Sequence, residues 1–391
     1  MHLLGRTFDG FARATARQSA GFALTASWLE LPELERAVLH GDALFDGRVD
    51  LALVVSDWLP ALIERGAVRD LSGHLPPDHP GGWSPSMWQL QTRGSRVYGL
   101  PYHDGPMMLL YRPDLFADAG ERAGFAARFG YPLAPPVTWD QFLDVARWFT
   151  RPGLHGTVLA GLPDGHNDVY DFLLQLWSRG GDLSSPSGPA AVSGLEFLRR
   201  LHAENLVDPA SLEWDSVASG ERFAAGGAAM MVNWSGYAAM CAPGSVACAP
   251  VPGGVSLNIY WVLVVAAGCS SPERAYEYLR HVATPEMDVI TSLEGANGVR
   301  LSTWRDPRVR ALSPCYAVME EVHRTVVSPP PVTAWPAVSE MLSAAIAGAV
   351  RGRSEPGEAL LAAAAEIERV LGPTTARVTP GRRRRPGKAS S

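Results

Sequence analysis

Lysine is almost missing from this chain: Lys388 is the only one in 391 residues. A phosphate-binding loop of the Gly-Lys-Ser/Thr type therefore cannot be built. No folded element offers an amine for a Schiff base either. Cysteine is scarce, at Cys241, Cys248, Cys269 and Cys315. None forms a C-x-x-C pair and no histidine cluster accompanies them, so neither a metal site nor any cofactor is expected. Cys241 and Cys248 flank APGSVA and can close a small loop if oxidised. Apolar runs stay below the ~18 residues of a membrane-spanning helix. The opening MHLLGRTFDGFARATARQ lacks the apolar stretch of a signal peptide. As written, the chain is expected in the cytoplasm, or outside the cell if its true start lies upstream. No G-x-S-x-G elbow appears, and Asp164, His166 and Asp168 in PDGHND read as a polar loop.

Acidic groups outnumber basic ones everywhere except the end. Six of the 34 basic residues lie in the last fifteen positions, leaving 28 against 40 acidic residues, a net of −12 for the rest. An acidic body argues against nucleic acid as a partner. The tail TPGRRRRPGKASS has no apolar periodicity and is expected to be disordered over 373–391. Hydrophobic residues at 47% and charged residues at 19% suit a folded globular chain, and the length allows two or three domains. Twelve tryptophans raise the expectation of a ligand surface built on aromatic faces.

Strand and helix signals alternate. VDLALVVSD at 49–57 reads as a strand buried on both faces, followed by the helix WLPALIERG. In PPVTWDQFLDVA, Thr138 and Gln141 form a capping box. Ser270 and Glu273 form another in SSPERAYEYL. IYWVLVVAAG is a further strand, and two helices close the chain, the last ending at Gly372 and Pro373. Strand–helix repetition predicts α/β architecture with mainly parallel sheets.

Four segments, in order, resemble the extracellular solute-binding proteins of ABC importers, in their carbohydrate-binding branch. VYGLPYHDGPMMLLYRPDLFADAG is similar to the family's Y-G-x-P-Y … L-Y-Y-N-K-D-L-F … A-G segment, with Tyr111-Arg112-Pro113-Asp114 departing from Y-N-K-D. PPVTWDQF is similar to P-P-x-T-W-D-E-F, ERFAAGGAAMMVNWSG to F-x-x-G-x-A-A-M … W, and residues 250–283 to its P-x-P-G-G … S-x-x-P-E-x-A block. The resemblance implies a two-lobed periplasmic-binding-protein-like fold of type II, with the ligand cleft between the lobes. One lobe would comprise 1–109 with 262–312, the other 110–261 with 313–372. It also implies a monomer that binds a small solute, a saccharide, and serves an ABC permease without turning the solute over.

A saccharide has apolar faces for aromatic stacking and hydroxyls for charged and amide groups. Asp57 ends a strand and Trp58 opens a helix, so Asp57 is a helix cap, a cleft residue or both. Arg6 and Asp9 follow the first strand. Tyr102, His103 and Asp104 are expected at the cleft, next to the crossing strands; hinge packing is their other reading. Tyr170 starts a helix, and Trp234 stands where the family places a stacking aromatic. Of Tyr260 and Trp261, alternation sends one to the core and one to the cleft; Trp261 is favoured for the cleft. Arg300 follows a Gly-rich loop, facing either ligand or solvent. Trp335 either stacks on ligand or packs on the closing helices. Two other readings stay open. One is a cytosolic enzyme on this fold, using Asp57, His103, Asp104 or a cysteine; the other is a cytosolic ligand sensor.

Overall fold

The computed structural model describes residues 1–375. Two sheets organise it. The first contains β1 (His2–Arg6), β2 (Thr25–Leu29), β3 (Leu51–Val55) and β4 (Leu100–His103). The second contains β5 (Met107–Tyr111), β6 (His155–Val158), β7 (Ala228–Trp234) and β8 (Ala247–Ala249). β9 (Trp261–Val265) returns to the first, giving strand orders β2-β1-β3-β9-β4 and β8-β5-β7-β6. The sheets are mixed. Parallel pairing is confined to β2-β1-β3 and to β7-β6, while β9 and β5 run antiparallel to their neighbours. The reason is the crossing: β4 and β5 are joined by only Asp104, Gly105 and Pro106, and β9 re-enters the first sheet from the other lobe.

β3 and β9 are buried along their whole length, as continuous β-branched and aliphatic runs require when helices cover both faces. One core collects Leu3, Leu53, Trp58, Tyr102, Trp261 and Val299. A second joins Leu109, Phe142, Phe172, Met230 and Leu342 on one face of the other sheet. A third covers that sheet's opposite face with Met108, Leu110, Met231, Trp304, Val309 and Tyr316. Trp304 and Val309 thus pack with the second sheet, although the sequence reading grouped 262–312 with the first lobe. The short helices after Arg300 bury their apolar sides against β5 and β7.

The Thr138 cap forms as expected: the Gln141 backbone N–H donates to the Thr138 hydroxyl, and the Gln141 side chain accepts from the Val137 N–H. The Ser270–Glu273 box does not form. Ser271 is the N-cap of Pro272–Val282 and its side chain makes no cap bond, because Ser270 is drawn to the Asp50 carboxylate instead. The last helix runs from Pro356 to Thr375, with Gly372 and Pro373 in its final turn. The basic run at 376–391 lies outside the described residues. Among those residues, no helix is long and apolar enough to cross a membrane.

The expected Cys241–Cys248 loop gives way to a Cys248–Cys315 disulfide spanning 67 residues. β8 pairs with β5 and lies against the turn at Pro314–Ala317, which brings Cys315 rather than Cys241 to Cys248. Cys241 and Cys269 are free. A loop of this length restricts the unfolded chain by about 4 kcal/mol. Peptide mapping of unreduced protein is expected to recover the 248–315 cross-link. Reductant is expected to lower the unfolding free energy by about 3–4 kcal/mol in a denaturant titration, an effect absent from Cys248→Ser.

Candidate functional site

The two lobes meet where three chain segments cross, and the crossing is tied by Asp104. This residue is fully buried. Its Oδ2 bonds to His323 Nε2 at 2.7 Å and its Oδ1 accepts from Asn258 Nδ2 at 2.8 Å. Its backbone N–H donates to the Asn297 carbonyl at 2.9 Å. His323 stacks on Trp304, and its Nδ1 bonds to Ser86 Oγ at 2.8 Å. Burial alone would raise the Asp104 carboxyl. The facing His323 and the hydrogen bonds from His323, Asn258 and the Gly105 backbone outweigh it, and the net displacement is downward. Asp104 is therefore a hinge tie whose oxygens are taken inside the protein, which removes it from the cleft set.

Tyr102, Trp58 and Arg300 also turn away from the cleft. Tyr102, 6% exposed, donates its hydroxyl to Gln18 Oε1 at 2.8 Å within the first core. Trp58 is buried in the same core. Arg300, 2% exposed, pairs with Asp78. It also donates to the Ala283 carbonyl at 2.6 Å and lies 4.1 Å over the Trp83 ring. The Gly-rich loop turns this arginine inward, against both the ligand and the solvent expectation. Tyr260 and Trp261 are both buried: Tyr260 donates to Gln91 Oε1 at 2.6 Å, and Trp261, paired with His103 on the neighbouring strand, packs edge-on to Phe11 at 5.3 Å. A helix covers the face that alternation assigned to the cleft.

The remaining residues fall into two groups. Tyr170 and Trp335, in the second of them, are buried in the second core, so Trp335 packs on the closing helices. His103, at the end of β4, is half-buried. Its Nδ1 accepts the Asn297 backbone N–H at 2.8 Å, so the ring proton sits on Nε2. Burial lowers its pKa, the Arg6 charge lowers it further, Asp104 pulls the other way, and the result is about 4. Phe8 and Phe11 rings lie 6.1 and 5.1 Å from it. Phe8 is an exposed aromatic at the start of a helix, a signal the sequence carried but the reading passed over. Arg6 is half-buried and its charge reaches Tyr237 of the other lobe; Asp9 is exposed and faces Arg13 at 3.8 Å.

Opposite stands the strongest grouping. Asp57 follows β3 and is 5% exposed. Tyr170, from the other lobe, donates its hydroxyl to Asp57 Oδ2 at 2.9 Å, and Trp335 Nε1 donates to the same oxygen at 3.3 Å. Asp57 caps no helix with its side chain. Burial raises its carboxyl, partly offset by His166 and by the two donors. Trp234 ends β7 half-buried, edge-on to Tyr170 at 5.7 Å, and donates its Nε1 to Asn167 Oδ1 at 3.0 Å. Asn167 and His166, read from the sequence as a polar loop, open the helix that carries Tyr170. Among the described residues, no group of three or more His, Cys, Asp or Glu is arranged to hold a metal.

Two α/β lobes joined by crossing segments, with Asp57 of one held by Tyr170 and Trp335 of the other, define a bilobal architecture. The sequence model of the bacterial extracellular solute-binding protein family matches residues 35–289, and the chain belongs to that family. A probable ABC transporter-binding protein of Deinococcus radiodurans is 25% identical over 351 residues, 83% of this chain and 80% of its own. Maltose-bound MalE3 of T. maritima superposes with a TM-score of 0.81 at 20% identity, covering 95% of this chain and 99% of that one. A ribitol complex of an ABC transporter solute-binding protein from Agrobacterium radiobacter K84 superposes equally, at 0.81 and 21% identity, covering 95% and 98%. These likenesses establish the fold.

Two outcomes follow from the geometry. Asp104→Ala strands His323 and Asn258 in the interior and is expected to cost about 3–5 kcal/mol by denaturant unfolding. The unfolded chain takes up a proton at His103 near pH 6.5, whereas the folded chain resists until about 4. Stability is therefore expected to fall as pH drops through that window. His103→Asn, whose side-chain oxygen still accepts from Asn297, removes that part of the slope in unfolding curves taken across the window.

Proposed function

We propose that the protein captures a saccharide between its lobes and delivers it to an ABC permease, without chemistry of its own. Family membership supports the solute-binding role. The observation that carries the saccharide is Asp57 of one lobe, held by Tyr170 and Trp335 of the other with Trp234 alongside. Aromatic faces suit the apolar faces of a sugar ring, and carboxylate, amide and imidazole suit its hydroxyls. The relatives are described as a transporter-binding protein and as proteins holding maltose or ribitol, which points the same way. The Ser86–His323–Asp104 chain has the order of an acyl-transfer triad, but Ser86 and its partners are buried in the hinge. They act as a tie.

In this reading the first lobe holds residues up to Asp104 and roughly 259–300, and the second holds the rest of the described chain. Arg6, Asp9, His103 and Asp57 present polar groups from the first lobe, and the half-buried Trp234 offers an aromatic face from the second, while Tyr170 and Trp335, 3% and 1% exposed, pack in the second core and hold Asp57 from behind. The protein acts as a monomer at the outer face of the cell, where the family is found and where a disulfide persists.

Thermal unfolding across a panel of mono- and oligosaccharides tests this. A ligand at a hundredfold its dissociation constant adds about 2.7 kcal/mol to the folded state. One sugar group is expected to raise the melting temperature and to be recovered unchanged. Trp234→Ala is expected to weaken that binding at least about tenfold. No shift with any sugar, or conversion of the sugar, defeats the proposal.

A further inference from the structure

Trp234 is held at both of its N–H groups. It ends β7 and pairs with Met107, the first residue of β5, so it stands beside the crossing. Its backbone N–H donates to Asn233 Oδ1 at 2.8 Å. Asn233, 3% exposed, is itself fixed: its Nδ2 donates to the Ser216 carbonyl at 3.2 Å and to Ser219 Oγ at 3.1 Å. The indole Nε1–H donates to Asn167 Oδ1 at 3.0 Å. Tyr170 meets the same ring at 78°, with centroids 5.7 Å apart. Asn167 and Tyr170 lie one turn apart on the helix Asn167–Ser178, so one side of that helix grips the indole twice. Tyr170 is in turn fixed by its hydroxyl bond to Asp57.

An indole has a single polar group, a donor. Here that donor is taken inside the protein, and so is the backbone N–H. Trp234 is nevertheless half-buried rather than buried. Among the described residues, no arginine lies over its ring. What Trp234 retains for a ligand is an apolar π surface. A sugar ring answers such a surface with C–H groups that ring closure fixes on one side. An open-chain polyol carries the same groups on a chain that must be frozen before they align, an ordering cost that the ring avoids.

We propose that Asn167 is a positioning residue that turns Trp234 so that the solute meets its face alone, and that this selects a ring-form saccharide over the corresponding open-chain polyol. The inference rests on the saccharide reading above and narrows it. Without the Asn167 acceptor, the indole N–H has to find another partner, and the ring is released to turn toward water or toward a ligand hydroxyl.

Two measurements on the full-length protein test it. The first is a nitrogen–proton spectrum of isotope-labelled protein, with the Trp234 indole signal assigned by its loss in Trp234→Phe. Asn167→Leu is expected to shift that signal in a spectrum otherwise that of the folded protein, with Asn167→Ala in its place if leucine disturbs the helix start. Asn167→Asp, which keeps an acceptor oxygen there, is expected to retain the signal. An unmoved signal on loss of the acceptor overturns the positioning role, whatever the ligand. The second is calorimetry with glucose and glucitol, galactose and galactitol, mannose and mannitol, ribose and ribitol, and maltose and maltitol. The ring-form member of a binding pair is expected to bind at least about tenfold tighter. That preference is expected to shrink about fivefold in Asn167→Leu and to survive in Asn167→Asp. An open-chain member that binds equally or more tightly overturns the ring-form selection and leaves solute capture standing. Undiminished ring-form preference in Asn167→Leu overturns the positioning role. No binding by any member of any pair overturns the saccharide reading together with the selection.

Discussion

A single buried carboxylate holds the crossing together. Asp104 stands where β4 leaves the first sheet, and its oxygens are taken by Asn258 from the second crossing segment and His323 from the far lobe. A carboxylate in the interior is tolerable only when its hydrogen bonds and charge are met. Meeting them here requires all three segments to be in place. The Asp104 bonds thus form an axis between the lobes. Around that axis the groups are rigid and satisfied: Tyr102, Tyr260 and Arg300 all spend their polar atoms on internal partners.

Away from the axis, the space between the lobes follows the opposite rule. Among the described residues, Asp57 Oδ1 has no hydrogen-bond partner, and Phe8 is exposed. Incomplete satisfaction is what a binding surface needs, because a ligand can contribute only where the protein has not already closed its own bonds. Asp57 connects the two regimes. One of its oxygens already bridges the lobes through Tyr170 and Trp335, while the other is buried without a partner among the described residues.

Much of this was legible in residue order. The alternation of buried strands and capped helices announced α/β lobes, and Trp234 at the end of a small-residue strand announced an aromatic wall. Asp57 was legible as a candidate because a carboxylate between a buried strand and a helix either caps that helix or faces a cleft, and the structure shows no side-chain cap. Arg300 and Tyr102 misled for a common reason. Both adjoin loops or strand ends that read as cleft-facing, yet long side chains can turn inward when Asp78 or Gln18 waits there. The partner of Cys248 was hidden because Cys315 lies 67 positions away, and proximity in sequence favoured Cys241.

The sequence by itself determined the class of the protein: periodicity, caps and ordered motifs are local, and local patterns select the elements and their succession. It also excluded phosphate-loop chemistry, through the near-absence of lysine. Only the tertiary structure decided which candidate residues face each other. Whether His103 or Asp104 meets a ligand depends on Asn297 and His323, both about 200 positions distant. A side chain's role at a cleft is set by which of its bonds remain unfilled, and that is known only when every distant partner has been placed.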